Sequence, residues 1–216
     1  MKRQVRFFFL TSALILMSTW GCCFAQTKQR HISLANSSYS VVYDPAQGIP
    51  LRVSWRLRPS DFAVTRKRVT KNFKQDSRCP KPRIKDADYR NTGYMRGHMC
   101  PAADRTETKA LMKETFLMSN VAPMTTKLNC GAWATIESLT RKLAIKYDSV
   151  DVLVGTIFTG ADSLYIARGK VHVPSLFFRQ VTTAKSDSLL AFWLVSQTGV
   201  FLTPACITTE SHREPE

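Results

Sequence analysis

Two stretches decide the reading of this chain: Tyr94-Met95-Arg96-Gly97-His98-Met99-Cys100-Pro101-Ala102-Ala103-Asp104, and Leu128-Asn129-Cys130-Gly131-Ala132-Trp133-Ala134-Thr135-Ile136-Glu137. The second runs into the clearest helix of the sequence, 131–147. There Ile136, Leu139, Leu143 and Tyr147 recur at helical spacing and make one apolar stripe, its core face. Trp133 reads as a core anchor of the same helix. Glu137 and Arg141 stand one turn apart on a different face, where a plain surface ion pair would be worth a few tenths of a kcal/mol. Asn129, just ahead of the helix, has the side chain of a helix cap. A shorter helix is expected over 107–114, with Thr106 as its N-cap.

Working outward, apolar and polar residues alternate over 39–43 and 51–57, as in half-buried strands. The stretches 150–158, 176–182 and 189–196 are rich in β-branched and aromatic residues and read as further strands. Residues 66–90 are polar and strongly basic, and Cys79-Pro80-Lys81-Pro82 interrupts any helix there, so this is expected to be a long surface loop. There is no internal repeat and no low-complexity linker. Strands predominate with helices interspersed, which implies an α+β fold around a mostly antiparallel central sheet flanked by helices.

The first residues look like an address label. Lys2, Arg3 and Arg6 precede an apolar run over 7–17, and small residues follow near Ala25, the pattern of a secretory signal peptide over 1–25. The run is short for a membrane anchor. Gly21-Cys22 resembles a lipoprotein cleavage site, but Thr19-Trp20 fits that pattern poorly, so an exported product, periplasmic or extracellular, is expected. Residues 26–216 suit a single domain, and no later segment is apolar enough to span a bilayer.

The chain carries 31 basic and 16 acidic residues, a net charge of +15. Removing three basic residues with the leader leaves +12, which favours polyanionic partners through counterion release and steering. Cys79, Cys100, Cys130 and Cys206 would remain, enough for one or two disulfides in an exported protein. Cys100 and Cys130 lie within the two segments quoted above, each within two residues of a candidate site residue (His98 and Asn129), close enough for their redox state to matter. No CxxC occurs and the histidines are scattered, which argues against a structural zinc site.

Hydrolysis of a phosphodiester needs a base for water, a cation on the phosphoryl oxygens and stabilisation of the leaving oxygen. His98 is suited to the first role, since imidazole titrates near neutral pH and the adjacent Gly97 allows close approach. Asn129 offers a hard, neutral oxygen of the kind magnesium accepts while keeping most of its waters. Spacing alone does not separate these roles from capping, packing and surface pairing.

The combination does. Arg96-Gly97-His98, followed about thirty residues later by Leu128-Asn129, Gly131, Trp133, Glu137 and Arg141, resembles the DNA/RNA non-specific endonuclease family, the ββα-metal (His-Me finger) nucleases. The likeness extends over most of the chain. Residues 70–76 resemble the basic segment ahead of the motif, and Asp88-Tyr89 with Gly93-Tyr94 its lead-in. Residues 116–123 match the strand between the motifs, and 154–158 and 173–175 the later strands.

The resemblance implies a magnesium-dependent nuclease, with manganese as an alternative ion, acting on DNA and RNA backbones. His98 would be the general base and Asn129 the one side chain directly on the metal. Glu137 would hold a metal-bound water, Arg141 would stabilise the reacting phosphate, and Arg96 would support the His98 loop or touch phosphate. Lys71 stands where some members carry a phosphate-binding arginine, keeping the charge without the bidentate fork. The ββα element would run over about 93–147, with His98 and Asn129 on opposite sides of the cation. A homodimer and an inhibitor protein are both left open.

Two departures stand out. The family's usual Asp before Arg-Gly-His is Met95 here, which removes a charge and an acceptor. The family usually closes with an acidic helix and a Thr-Gly-Leu-Asp-like segment, whereas this chain ends in a polar tail through Cys206 to Glu216. Two other readings compete: a secreted protein that binds polyanions without cutting them, and a phosphodiesterase for a small substrate. The first would be favoured by loss of His98 or Asn129, and both are present. The second predicts a deep selective pocket rather than a long basic groove.

Overall fold

Alternation along the chain builds the main sheet. The computed structural model describes residues 31–70, 72–160 and 164–202; the expected leader, Lys71, Cys206 and the polar tail lie outside them. Among the described residues the elements follow in chain order as β1 (Ile32–Ala35), β2 (Ser40–Asp44), β3 (Ile49–Leu57), α1 (Pro59–Phe62), β4 (Met95–His98) and α2 (Lys109–Glu114). After these come β5 (Val121–Met124), α3 (Trp133–Lys146), β6 (Val150–Ile157), β7 (Tyr165–Ile166), β8 (Val171–His172), β9 (Leu176–Thr183) and β10 (Leu189–Ser196).

Six strands form one antiparallel sheet in the order β1-β2-β3-β6-β9-β10. Val53, Trp55 and Leu57 of β3 point to the buried face with Val150, Val152 and Val154 of β6, while Arg52, Ser54 and Arg56 stay exposed. Phe177 and Val181 of β9 and Trp193 and Val195 of β10 complete that face. This one-sided burial is the usual state of an antiparallel sheet. Onto it pack Trp133, Ile136 and Ala144 of α3, with Leu139, Leu143 and Tyr147 alongside, so the predicted apolar stripe is the helix's core face.

The short strands β4 and β5 pair antiparallel, Met95 opposite Met124 and His98 opposite Val121, and lead into α3. This is the ββα element, set on the core by Ala122, Met124 and Leu128. Gly97 is what lets the pair close: a Cβ there would lie 2.4 Å from the sulfur of the fully buried Met124.

Two expected helix starts are corrected. Thr108, not Thr106, caps α2, accepting a hydrogen bond from the Leu111 amide at 3.1 Å. Thr106 is taken by the loop before it, its own amide donating to the Asp61 carbonyl. Asn129 caps nothing. Helical backbone already begins at residue 126, and the Thr125 hydroxyl accepts from the Leu128 amide at 3.1 Å. Leu128–Ala132 then form a π-helical turn before α3 proper. The cysteines are also plain: Cys79 and Cys100 are buried thiols, Cys130 is an exposed one, and no disulfide joins them.

Candidate active site

His98 ends β4 and is 8% exposed. Its carbonyl accepts from the Trp133 indole at 3.1 Å, which ties β4 to α3 and gives the core anchor a polar task. The next turn is pinned by Asn120. Its side-chain oxygen accepts from the Cys100 amide, and its nitrogen donates to the carbonyls of Cys100 and Thr115, each at 2.9 Å. Residues 72–74 lie beside this turn, with Lys74 bridging to Leu117. Phe73 is thereby brought to 4.9 Å from the His98 ring, and Phe116 closes the other contact edge-on at 4.8 Å.

In this box burial, aided by the charge of Arg68, pushes the His98 pKa down to about 3. The imidazole is therefore neutral at physiological pH. Its Nε2 is closed off from solvent and has no hydrogen-bond partner among the described residues.

Asn129 and Glu137 face the same cleft as His98. The cleft has a volume of about 820 Å³, and its lining includes Arg66, Arg68, Arg90, Arg96 and Met95. The π-helical turn sets Asn129 there; such turns often mark functional sites because the extra residue re-aims a side chain. Its Nδ2 lies 3.6 Å from the Met95 sulfur. Glu137, one helical stretch further on, has its pKa pushed up to about 7 by burial, against the opposing charge of Arg179.

Arg96 is anchored rather than loose. It forms an ion pair with Asp86 at 3.2 Å and lies over the Phe73 ring, so it braces the wall beside His98. Arg141 is not brought into the lining. Its Nη1 donates at 2.9 Å to Asp104, a fully buried carboxylate whose other oxygen has no partner among the described residues. Behind both sits Arg179, fully buried between Trp55 and Trp133, which adds positive charge under Glu137. Lys71 lies outside the described residues, between Thr70 and the exposed Asn72.

Sequence reasoning missed the cleft arginines Arg66, Arg68 and Arg90, which stood within an undifferentiated basic loop. It also missed Phe73, Phe116 and Asn120, which act through contacts that no spacing encodes. Among the described residues no group of three His, Cys, Asp or Glu side chains is placed to hold a metal. A cation here would have to rest on a neutral oxygen, a carboxylate at one remove, water and substrate.

Comparison with known proteins points the same way. The family described as DNA/RNA non-specific endonuclease matches residues 24–212. Mitochondrial endonuclease G of Bos taurus is 36% identical over 165 residues, 72% of this chain and 53% of that protein. Nuclease C1 of Cunninghamella echinulata var. echinulata is 33% identical over 142 residues, 61% of this chain and 54% of that protein. The chain thus spans about half the length of the curated relatives it matches. A solved structure of an EndoG/EndoGI complex, concerned with the mechanism of EndoG inhibition, superposes with a TM-score of 0.67 at 27% identity, covering 80% of this chain and 77% of that one.

Proposed function

The chain belongs to the DNA/RNA non-specific endonuclease family, and from that premise we propose that it hydrolyses DNA and RNA backbones with a divalent cation, His98 serving as the general base. The observation that carries this reading is one cleft holding a neutral imidazole, an amide oxygen donor and a half-buried carboxylate beside four arginines.

The donor set fits the cation. Asn129 supplies a hard neutral oxygen, Glu137 a carboxylate suited to accept from metal-bound water, and among the described residues no cysteine–histidine cluster competes. Magnesium suits such a set, with manganese as a substitute. When bound, the ion supplies positive charge for the phosphoryl oxygens. His98 would take the proton of the attacking water at Nδ1, because Nε2 is the nitrogen closed off. A ring with its pKa at about 3 is a weak base, but a phosphate in the cleft brings the negative charge that raises it.

Arg66, Arg68 and Arg90 are the side chains placed to meet the backbone phosphates. Arg141 could join them only by leaving Asp104, so its role here is to neutralise that buried carboxylate; Lys71 remains an expectation. Readout of phosphate rather than base edges implies little sequence preference. A partner inhibitor, of the kind named in the EndoG/EndoGI complex, suits this reading, as does export directed by the leader. Export predicts secreted protein beginning at Gln26, which intact-mass measurement checks.

The decisive test is digestion of plasmid and total RNA by the purified chain, with magnesium or with EDTA, beside His98→Ala. Magnesium-dependent cutting that falls at least about 100-fold in the variant is expected. Folded protein that retards DNA without cutting it would instead favour a polyanion binder, the reading that the absence of a carboxylate at Met95 supports.

A further inference from the structure

Met95 begins β4 and is half-buried at the edge of the cleft. Its sulfur lies 3.6 Å from Asn129 Nδ2 and 3.8 Å from Cys130 Sγ. The thiol and the amide both donate to it, so this one thioether holds two adjacent residues of the π-helical turn Leu128–Ala132. Resting on the reading of Asn129 as the cation's ligand, we propose that Met95 is a positioning residue whose sulfur fixes the Asn129 amide with its carbonyl oxygen toward the cleft.

The inventory of donors and acceptors decides which way the amide turns. A primary amide has a donating end and an accepting end, and the two are nearly the same shape. Left alone it could turn either way, and half of its orientations would offer a bound cation an NH2 group. A thioether can only accept. It therefore selects the end that faces it, and the oxygen becomes the other end. Methionine can do this from a strand because it is unbranched and long enough to reach across to the turn. The arrangement costs no charge: nothing ionised stands at position 95, so the cation meets Asn129 without a fixed carboxylate beside it.

Met95→Leu keeps the volume and removes the acceptor, and such swaps are well tolerated in packed sites. In the metal-free chain, the side-chain amide signal of Asn129 in a 15N correlation spectrum should shift and its two protons should exchange faster in Met95→Leu. Manganese binding, followed by calorimetry without nucleic acid, should weaken by about three- to tenfold, the worth of one modest hydrogen bond. Met95→Asp restores an acceptor and should recover the affinity.

An unchanged Asn129 signal together with unchanged manganese affinity in Met95→Leu overturns the proposal. Should that variant fail to fold, the parent decides: the Met95 methyl must show a cross-relaxation contact to the Asn129 amide protons, and its absence is equally fatal. A parent that binds no manganese would defeat the reading of Asn129 as ligand, while the amide signal still judges Met95 by itself.

Discussion

His98 and Glu137 share the cleft but answer burial with opposite signs, because the first becomes neutral on losing a proton and the second on gaining one. The folded pKa of His98, about 3, lies below its ordinary 6.5. The unfolded chain therefore binds more protons in that window, and stability is lost as pH falls from about 6.5 toward 3. Glu137 runs the other way. Its folded pKa of about 7 lies above the ordinary 4.5, so its protonated form supports the fold fully below 4.5 and that support is lost as pH rises through 7. Glu137→Gln imitates the protonated state. Without metal it should raise the melting temperature at pH 8 by several degrees and leave it nearly unchanged at pH 4.5. Thermal scans at the two pH values check this, and magnesium should shrink the gain by giving the carboxylate a partner. An equal gain at both pH values would mean that the amide improves packing, and that the carboxylate is not strained.

At the scale of elements, the start of α2 turns on which of two threonines meets the helix. Thr108→Ala removes the cap on Leu111 and should cost about 1 kcal/mol of unfolding free energy in urea. Thr106→Val should be neutral or mildly stabilising, since the Thr106 hydroxyl is buried without a partner among the described residues. Reversed effects would restore the sequence expectation and discard the geometry. That expectation failed because both residues are equally good caps in isolation, and the choice is made by Asp61, far away in sequence. Strands β2 and β3 were legible because burial on one face writes itself into alternation, β6, β9 and β10 because β-branched and aromatic residues crowd them, and α3 because its core face repeats at helical spacing. Strands β1, β7 and β8 are too short to show a period. The π-helical turn was illegible for a related reason: one extra residue changes where Asn129 points without changing any composition. In the site, His98, Asn129 and Glu137 could be named from their motif. The pairing of Arg141 with Asp104 could not, because Glu137 stands closer in sequence and the true partner is set by how the turn after Pro101 packs against α3.

Across the whole molecule the question is whether the positive charge is a general coat or a track. The net charge of +15 would attract any polyanion, and diffuse attraction of that kind depends little on any one residue. The cleft offers something narrower. Arg66, Arg68, Arg90 and Arg96 all line it, but Arg96 is already paired with Asp86. Arg66 is held by the Thr106 and Glu107 carbonyls, yet among the described residues no carboxylate pairs with it, with Arg68 or with Arg90, so three charges remain to displace counterions from a bound strand. Three phosphates imply a slope of about −2.7 for log affinity against log salt, or roughly a forty-fold loss between 50 and 200 mM. Fluorescence anisotropy with His98→Ala, which binds without consuming the probe, measures that slope directly. Arg68→Gln should reduce it by about 0.9, and by the same amount on DNA and RNA oligonucleotides of unrelated sequence, because a phosphate contact carries no base information. Arg96→Gln should change it far less, since its charge is already spent on Asp86. If the slope instead stays the same in Arg68→Gln, the strand does not run through the cleft, and the surface as a whole rather than the track beside His98 governs how this protein meets nucleic acid.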